Sequence, residues 1–431
     1  MKYIYPILFL FAVVIFLIHY AISGQAVYGD GIGYYSHLHS WVIDRDWNYT
    51  NEYKHIYDHQ HNNFETGLES PTVQIVSTTK DGKAENFYST GVAVLLLPFY
   101  LLAHLLTILL NLFGAGLSTS GYGDLYQIIS GIGAVFYTVA GVYFLEKLIY
   151  FETRNRRISL ISAPTIFLST SLLYYGSFDV INSHFASFFL TTVFFYFFLG
   201  GKIVKNSLLL GLVAGLIAIT RIQDSVVVII WVAEILRTHN LKLKVMSRFL
   251  IGFLFGIIPL LIHWSMVFGN PLKQTYLRGL LDTYQTKQIP DLLGSLLNPV
   301  TGLFSRTPLL GLLFIFFGYL VIKRETKNLF YPFSFLVMQF VIITFQGGWA
   351  AAAYGGRMYL SSLVFFGLLL GKLLLRISRG GWARVYQFVA VFIVINLVSM
   401  ALFILRDKGA ENGEHGVEQR TLQRIQIFFN R

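Results

Sequence analysis

The sequence predicts an all-α, polytopic membrane protein, and three observations carry that prediction. Hydrophobic residues make up 55% of the 431 positions and charged residues only 13%, far from the balance of a soluble domain. Runs of seventeen or more apolar residues recur along the whole length, each enough to cross a hydrocarbon core of roughly 30 Å. The breaks between runs fall at short basic clusters: Arg154, Arg156 and Arg157; Lys202 and Lys205; Arg237, Lys242, Lys244 and Arg248; Lys323, Arg324 and Lys327; Arg376, Arg379 and Arg384. The chain has no Cys, which excludes disulfides, thiolate metal sites and cysteine nucleophiles. A net charge of +11 invites a nucleic-acid partner, but its distribution along the loops fits a lipid bilayer and membrane orientation instead.

The first run, Ile4 to Ser23, is long and lacks a small-x-small cleavage site, so it reads as a retained span. Placing every basic cluster in the cytoplasm leaves 18 Lys/Arg against 4 Asp/Glu inside and 15 against 18 outside. With residues 24–86 outside and the 154–157 cluster inside, an odd number of crossings must separate them. Two apolar runs, 92–112 and 125–147, occupy that interval, so one does not cross. The run 92–112, interrupted by Pro98 and His104, is expected to be an interfacial or re-entrant helix on the outer side. The expected spans are then 4–23, 125–147, 158–175, 184–201, 207–220, 224–237, 247–268, 307–322, 329–346, 358–375 and 385–405. That makes about eleven, with outer-side juxtamembrane helices in addition. Residues 1–405 form one domain with outer loops 24–124 and 269–306, followed by a polar tail, 406–431. The N-terminus is expected in the cytoplasm of a bacterial inner membrane.

Polar residues near the spans collect on one side. Asp30, His184, Arg221, Gln223, Asp224, Lys273, Arg306 and Arg357 all map to outer loops or outer span ends, and ionisable groups are costly enough in a bilayer that such convergence suggests a site. In the stretch GDGIGYYSHLHSWVIDRDW, residues 31–43 read as a helix along the outer interface. Ile32, Tyr35, Leu38, Val42 and Ile43 share one face, while Ser36, His37 and Ser40 look to water. Asp30 reads as the N-cap of that helix, as a carboxylate able to take a proton from an incoming hydroxyl or amine, or as both. Tyr34 is a substrate-pocket candidate. Tyr34 and Tyr35 equally read as aromatic anchors at headgroup level.

Arg357 lies in GGWAAAAYGGRMYL, where Trp349, Tyr354 and Arg357 suit a sugar, an aromatic platform and a phosphate. Arg357 and Arg221 also read as arginines snorkelling to headgroups. His184 also reads as a satisfied helix-start residue, and Lys273 as a solvated loop charge that would join the phosphate set. His55, His59 and His61 with Asp58 read as a solvated loop more readily than as a metal site. Asn48-Tyr49-Thr50 fits a glycosylation pattern that is common by chance. No P-loop, dinucleotide fingerprint or Ser/His/Asp arrangement is present.

With these residues laid out, the chain resembles the C-type (GT-C) integral-membrane glycosyltransferases, in the branch of the protein O-mannosyltransferases and lipid A aminoarabinose transferases. The resemblance runs through most of residues 1–370. Five stretches carry it: GDGIGYYSHLHSWVIDRDW, ENFYSTGVAVLLLPFYLLAHLL, NSHFASFF, GLIAITRIQD and GGWAAAAYGGRMYL. It implies transfer of a sugar from a polyprenyl-phosphate donor to an acceptor on the outer face, with inversion at the anomeric carbon. Asp30 would be the base or acceptor-positioning group. Members of that branch often carry Glu directly after this Asp, whereas this chain has Gly31, which leaves Asp30 working alone or with Asp44 or Asp46.

The expected site is therefore Asp30 as catalytic residue and Arg357, Arg221 and Lys273 on the donor phosphate. Tyr34, His184, Gln223, Asp224, Trp349 and Tyr354 complete the pocket. No cofactor is required by the sequence, and a divalent metal stays open. The acceptor is unknown. A glycolipid or solute transporter or flippase would show internal repeats and mid-bilayer charges, and a glycan polymerase or ligase would need two large substrates. Both stand as alternatives.

Overall fold

The computed structural model describes residues 3–57, 84–201, 203–239, 242–272, 291–346, 349 and 354–404. Among these residues every regular element is helical, and the chain is an all-α membrane protein. Helix α1 (Ile4–Ser23) leads into α2 (Gly31–His39), a π-turn (Ser40–Asp44) and α3 (Thr50–Tyr57). Then follow α4 (Gly91–Leu112), α5 (Asp124–Thr153), α6 (Arg156–Leu168), α7 (Leu172–Ser177) and α8 (Ser183–Leu199). Helix α9 (Ser207–Thr220) is joined through a 3-10 turn (Ile222–Val226) to α10 (Val227–Arg237), and α11 spans Leu243–Phe268. Beyond it lie α12 (Leu292–Leu297), α13 (Pro308–Ile322), α14 (Phe330–Gln346), α15 (Leu363–Ile377) and α16 (Trp382–Leu402).

Six helical stretches are long and apolar enough to cross a membrane: Ile4–Ser23, Gly91–Leu112, Asp124–Thr153, Leu243–Phe268, Arg357–Gly380 and Trp382–Leu402. Of these, Gly91–Leu112, expected to lie at the interface, is able by length and composition to cross; four shorter apolar helices, Ser183–Leu199, Ser207–Thr220, Pro308–Ile322 and Phe330–Gln346, coincide with expected spans. Two expectations need correction. The run 158–175 is not one helix: it breaks at residues 169–171, between α6 and α7. The run 224–237 begins as a 3-10 turn and becomes α-helical only at Val227.

Helix α5 is the hub, packing on α1, α4, α6, α8 and α15. Small residues make that possible. Gly131 receives the ring of Phe16, Gly133 that of Phe99, and Gly141 that of Phe188; a Cβ at any of the three would lie within 2.2–2.6 Å of ring carbon. The α9–α11 pair is closer still. Gly211 faces the Phe249 carbonyl, Gly215 faces Gly256, and Gly252 faces the Leu208 carbonyl, so the two backbones touch directly, the small-residue mode of helix association available in lipid.

The basic clusters around residues 154–157, 323–327 and 376–384 meet at one end of this bundle. Glu152 binds both Lys372 and Asn328, and Arg376 pairs with Glu325. Arg157 lies 3.6 Å over the Trp382 ring, and Arg156 reaches Glu146 at 2.7 Å.

At the opposite end, α2 is folded into the protein and has no face open to water. Ser36, His37 and Ser40, expected to look to water, are buried, as are Tyr34 and Tyr35. Tyr35 is no headgroup anchor, since its hydroxyl donates to the Gly121 carbonyl at 2.8 Å. Two glycines let α2 in. A Cβ at Gly31 would sit 2.4 Å from the Ile181 carbonyl oxygen, and one at Gly33 would sit inside the Tyr88 ring, 1.9 Å from Cδ2.

His37 locks the segment in place. Its Nε2–H donates to the Tyr88 carbonyl at 2.9 Å, which leaves Nδ1 to accept from the Tyr49 hydroxyl at 2.8 Å. On the far side of Tyr49 stands His263 of α11, with its Nδ1 3.3 Å from the same hydroxyl. Burial, and next the neighbouring His263, hold the His37 imidazole well below its usual pKa.

Two outcomes follow. Gly252→Leu should drive α9 and α11 apart, costing about 1–3 kcal/mol or more and visibly lowering the melting temperature in detergent. His37 is kept neutral in the fold, so its contribution to stability is complete above about pH 6.5 and is lost as pH falls and the unfolded state gains the proton. His37→Gln should flatten part of that acid limb in melts run between pH 7.5 and 5; an unchanged limb would show that other groups set it.

Candidate functional site

The site is assembled from four separate stretches of chain. Asp30 occupies the N-cap position of α2 but makes no side-chain capping bond, and its backbone is itself helical at φ −59°, ψ −25°. The capping reading of Asp30 is therefore replaced. Its carboxylate, 49% exposed, turns away from the helix: Oδ1 accepts from the Tyr88 hydroxyl at 3.2 Å, and Oδ2 lies 3.9 Å from the Arg357 guanidinium.

Arg357 is delivered by a backbone that only glycine adopts freely. Gly355 and Gly356 have φ of 44° and 61°, in the left-handed region. Each also abuts its neighbours: a Cβ at Gly355 would lie 2.7 Å from Arg306 Cβ, and one at Gly356 2.8 Å from Leu303 Cα. Their N–H groups donate to the Val300 and Thr301 carbonyls, which seats the turn against the segment leading to α13. From there the guanidinium enters a buried place facing Asp30, Asp179, Tyr34 and Tyr175. Its Nε has no hydrogen-bond partner among the described residues.

His184 links Arg357 to the second arginine. Asn182 caps α8 by accepting from the His184 N–H at 2.7 Å, which fixes the ring at the helix start. Arg221 Nη1 donates to His184 Nδ1 at 2.7 Å, so that nitrogen carries the lone pair, and the ring bonds the Arg357 main chain with its other side. Arg221 also reaches Met358 Sδ at 2.7 Å. It sits one residue past the end of α9 in extended backbone, φ −147°, ψ 111°. Both arginines are thus fixed by protein contacts within the bundle, not snorkelling, and the Arg221 side is buried.

Asp224 and Gln223 stand behind this row. Asp224 accepts from Ser187 of α8 and, at 2.9 Å, from Ser361 in the turn after Arg357. Gln223 donates to Gln339 at 3.3 Å and to the Met358 carbonyl at 3.4 Å, while Gln339 donates back to the Gln223 carbonyl at 2.8 Å. Their hydrogen-bonding groups face protein, so they position the arginines and do not face an open pocket.

The remaining expected residues divide. Tyr34 is buried edge-on to Tyr88, 5.2 Å between ring centres, beside Asp30 and Arg357. Tyr354 is not a platform. It is fully buried, its hydroxyl donates to Asn396 at 2.9 Å, and its N–H bonds the Tyr175 hydroxyl. Trp349 packs over Gly294 of α12. Lys273, His59, His61 and Asp58 lie outside the described residues, as does the tail 406–431. His55 does not sit in a free loop, for its ring stacks on Tyr122 at 4.0 Å.

Sequence reasoning missed Tyr88, Tyr175, Asp179 and Met358. Asp179 carried a signal: it is the sole acid in the otherwise apolar run SLLYYGSFDVIN, three residues before Asn182. Tyr88 carried none, because its role depends on the fold of α2 beside it. Compared with known protein families, curated proteins and solved structures, the chain matches none.

Removing the Asp224 carboxylate strands two serine hydroxyls and the nearby Arg221 charge. Asp224→Ala should cost about 3 kcal/mol, whereas Asp224→Asn, which can still accept from a serine, should cost less. Thermal unfolding in detergent reads the difference, and equal losses would mean that the carboxylate's charge, and not its bonds to the serines, is what holds the turn.

Proposed function

We propose that this protein transfers a sugar from a polyprenyl-phosphate donor to an acceptor at the membrane face that carries residues 24–57, with inversion at the anomeric carbon. The observation that carries the reading is the pairing of a half-exposed carboxylate, Asp30, with a mostly covered guanidinium, Arg357, at 3.9 Å. Behind Arg357 stands a second fixed guanidinium, Arg221, joined to it through His184.

The chemistry uses that pair directly. The acceptor's hydroxyl or amine attacks the anomeric carbon while Asp30 takes its proton, and the bond from that carbon to the phosphate oxygen breaks. Negative charge grows on the departing phosphate, where a preorganised arginine stabilises it. Without a donor, Asp30 and Arg357 face each other; a phosphate arriving at Arg357 would release Asp30 to act as base.

Two further features support the reading. An apolar cavity of about 130 Å³, lined by Phe304, Phe333, Leu336, Phe340 and Tyr359 among others, opens two residues along the chain from Arg357, and could take part of an isoprenoid tail. A donor with such a tail also accounts for a transferase built almost wholly of apolar helices. In this reading the chain makes eleven crossings, keeps its basic end in the cytoplasm and works at the outer face of a bacterial inner membrane.

The test is reconstitution of the purified protein in liposomes with a panel of polyprenyl-phosphate sugars, following donor turnover. Asp30→Asn should lose about 10²–10⁴-fold in rate and Arg357→Gln about 10²–10³-fold, with melting temperatures near wild type. Full turnover by Asp30→Asn, or no turnover of any polyprenyl-phosphate sugar by the wild type, would overturn the proposal.

A further inference from the structure

At the far end of α2 from Asp30, the chain builds a second cluster that the transfer chemistry does not use. His39, the last residue of α2, turns Nδ1 toward two carboxylates. Asp44 Oδ2, from the end of the π-turn, lies 3.1 Å away, and Glu52 Oε1, from α3, lies 3.3 Å away. All three donor atoms fall within 4.8 Å of one another. We propose that His39, Asp44 and Glu52 bind a divalent transition-metal ion, of which Zn²⁺ fits best, and that it ties the end of α2 to α3.

The hydrogen-bond count is the first argument. His39 Nε2 lies 2.9 Å from the Ser120 carbonyl, an obligate acceptor, so Nε2 carries the ring proton of the neutral imidazole. Nδ1 is then a lone pair aimed at two carboxylate oxygens. Three acceptors facing one another repel, and some cation must sit among them. Asn51 satisfies only part of this, donating to Asp44 Oδ2 at 2.6 Å.

A proton on Nδ1 would be one such cation, but the spacing favours a larger one. Charge-assisted N–H···O⁻ bonds settle at about 2.7–2.9 Å, whereas both contacts here are longer. Tetrahedral ligands held about 2.0–2.1 Å from zinc stand about 3.3 Å apart, close to the observed 3.1 and 3.3 Å.

Glu52 supplies the independent observation. The residue is fully buried and its second oxygen, Oε2, has no hydrogen-bond partner among the described residues. An ionised carboxylate placed there lacks a counter-charge that a divalent ion would provide.

The surroundings are those of a ligated imidazole. The Ser120 carbonyl fixes the tautomer that leaves Nδ1 free, as the outer partners of metal-bound histidines do. Tyr122 stacks on the ring at 4.1 Å, and Asn51 orients Asp44. One imidazole and two carboxylates select a first-row transition ion over Mg²⁺ or Ca²⁺, which prefer all-oxygen shells. Asp44 is the exposed member and leaves a side open for water as fourth ligand.

The experiment uses the full-length, untagged protein in detergent, stripped with EDTA and titrated with Zn²⁺ at pH 7.5. Bound metal is counted by mass spectrometry and stability followed by thermal melt, so no activity is needed. The proposal expects one equivalent bound and a raised melting temperature. Asp44→Asn and Glu52→Gln should each weaken binding by about 10-fold or more and remove the thermal gain. Glu52→Gln keeps the shape and discards the charge, so it should fold whether or not metal binds. Co²⁺ in place of zinc should give a tetrahedral ligand-field spectrum that His39→Gln alters. No uptake by the wild type, or wild-type affinity in both carboxylate variants, would overturn the site and leave a protonated His–carboxylate cluster.

Discussion

An arginine inside an apolar helix bundle is tolerated only where something fixes its donors and balances its charge. Much of the architecture around the candidate site can be derived from meeting that demand twice. Arg221 is met by His184 and Met358, and Arg357 by Asp30 together with Asp179 and the phenols of Tyr34 and Tyr175. Each partner then needs its own support. Asn182 holds the backbone of His184, Tyr88 holds Asp30, and Tyr175 is tied to the backbone of Tyr354, whose hydroxyl ends on Asn396 of α16. The chain of dependence passes through helices far apart in sequence. A substitution such as Asn396→Leu could therefore disturb the site without touching it.

The entry of α2 into the bundle is the second constraint, and it explains Gly31. Here any side chain would strike the Ile181 carbonyl, because the helix lies directly on the segment that leads into α8. With α2 pressed against residues 178–182, Asp30 shares Arg357 with Asp179. Two carboxylates from different parts of the chain thus act on one arginine.

The helices were largely legible in the sequence because apolar run length and basic interruptions are local signals. Ile4–Ser23 stands as expected, and the break between α9 and α10 falls at Arg221–Asp224, where charge interrupts the run. Burial was less legible. The pattern of α2 puts Ser36 and His37 on a polar face, and only the tertiary partners Tyr49, Tyr88 and His263 turn that face inward. A polar residue looks the same in a sequence whether water or a tyrosine satisfies it. The same limit separates Tyr354 from Tyr34. Both read as pocket aromatics, yet one ends on Asn396 and the other beside Arg357. The π-turn that aims Asp44 at His39 had no signal in residue periodicity at all.

The geometry of Asp30 and Arg357 bears on how such a site could open. At 3.9 Å the two groups are closer than a solvent-separated pair but too far apart for a hydrogen bond. Neither depends on the other for its place: Tyr88 and the start of α2 hold the carboxylate, while the double-glycine turn holds the guanidinium. Parting them therefore costs only the Coulomb attraction of a half-exposed pair, which is small beside that of a fully desolvated one. The Nε of Arg357 adds a donor that no described residue accepts from. A phosphate oxyanion approaching that side would gain a charge-assisted bond that the protein alone does not make. The pair is then better described as two preset groups with a shared vacancy of bonding than as a salt bridge that stabilises the fold.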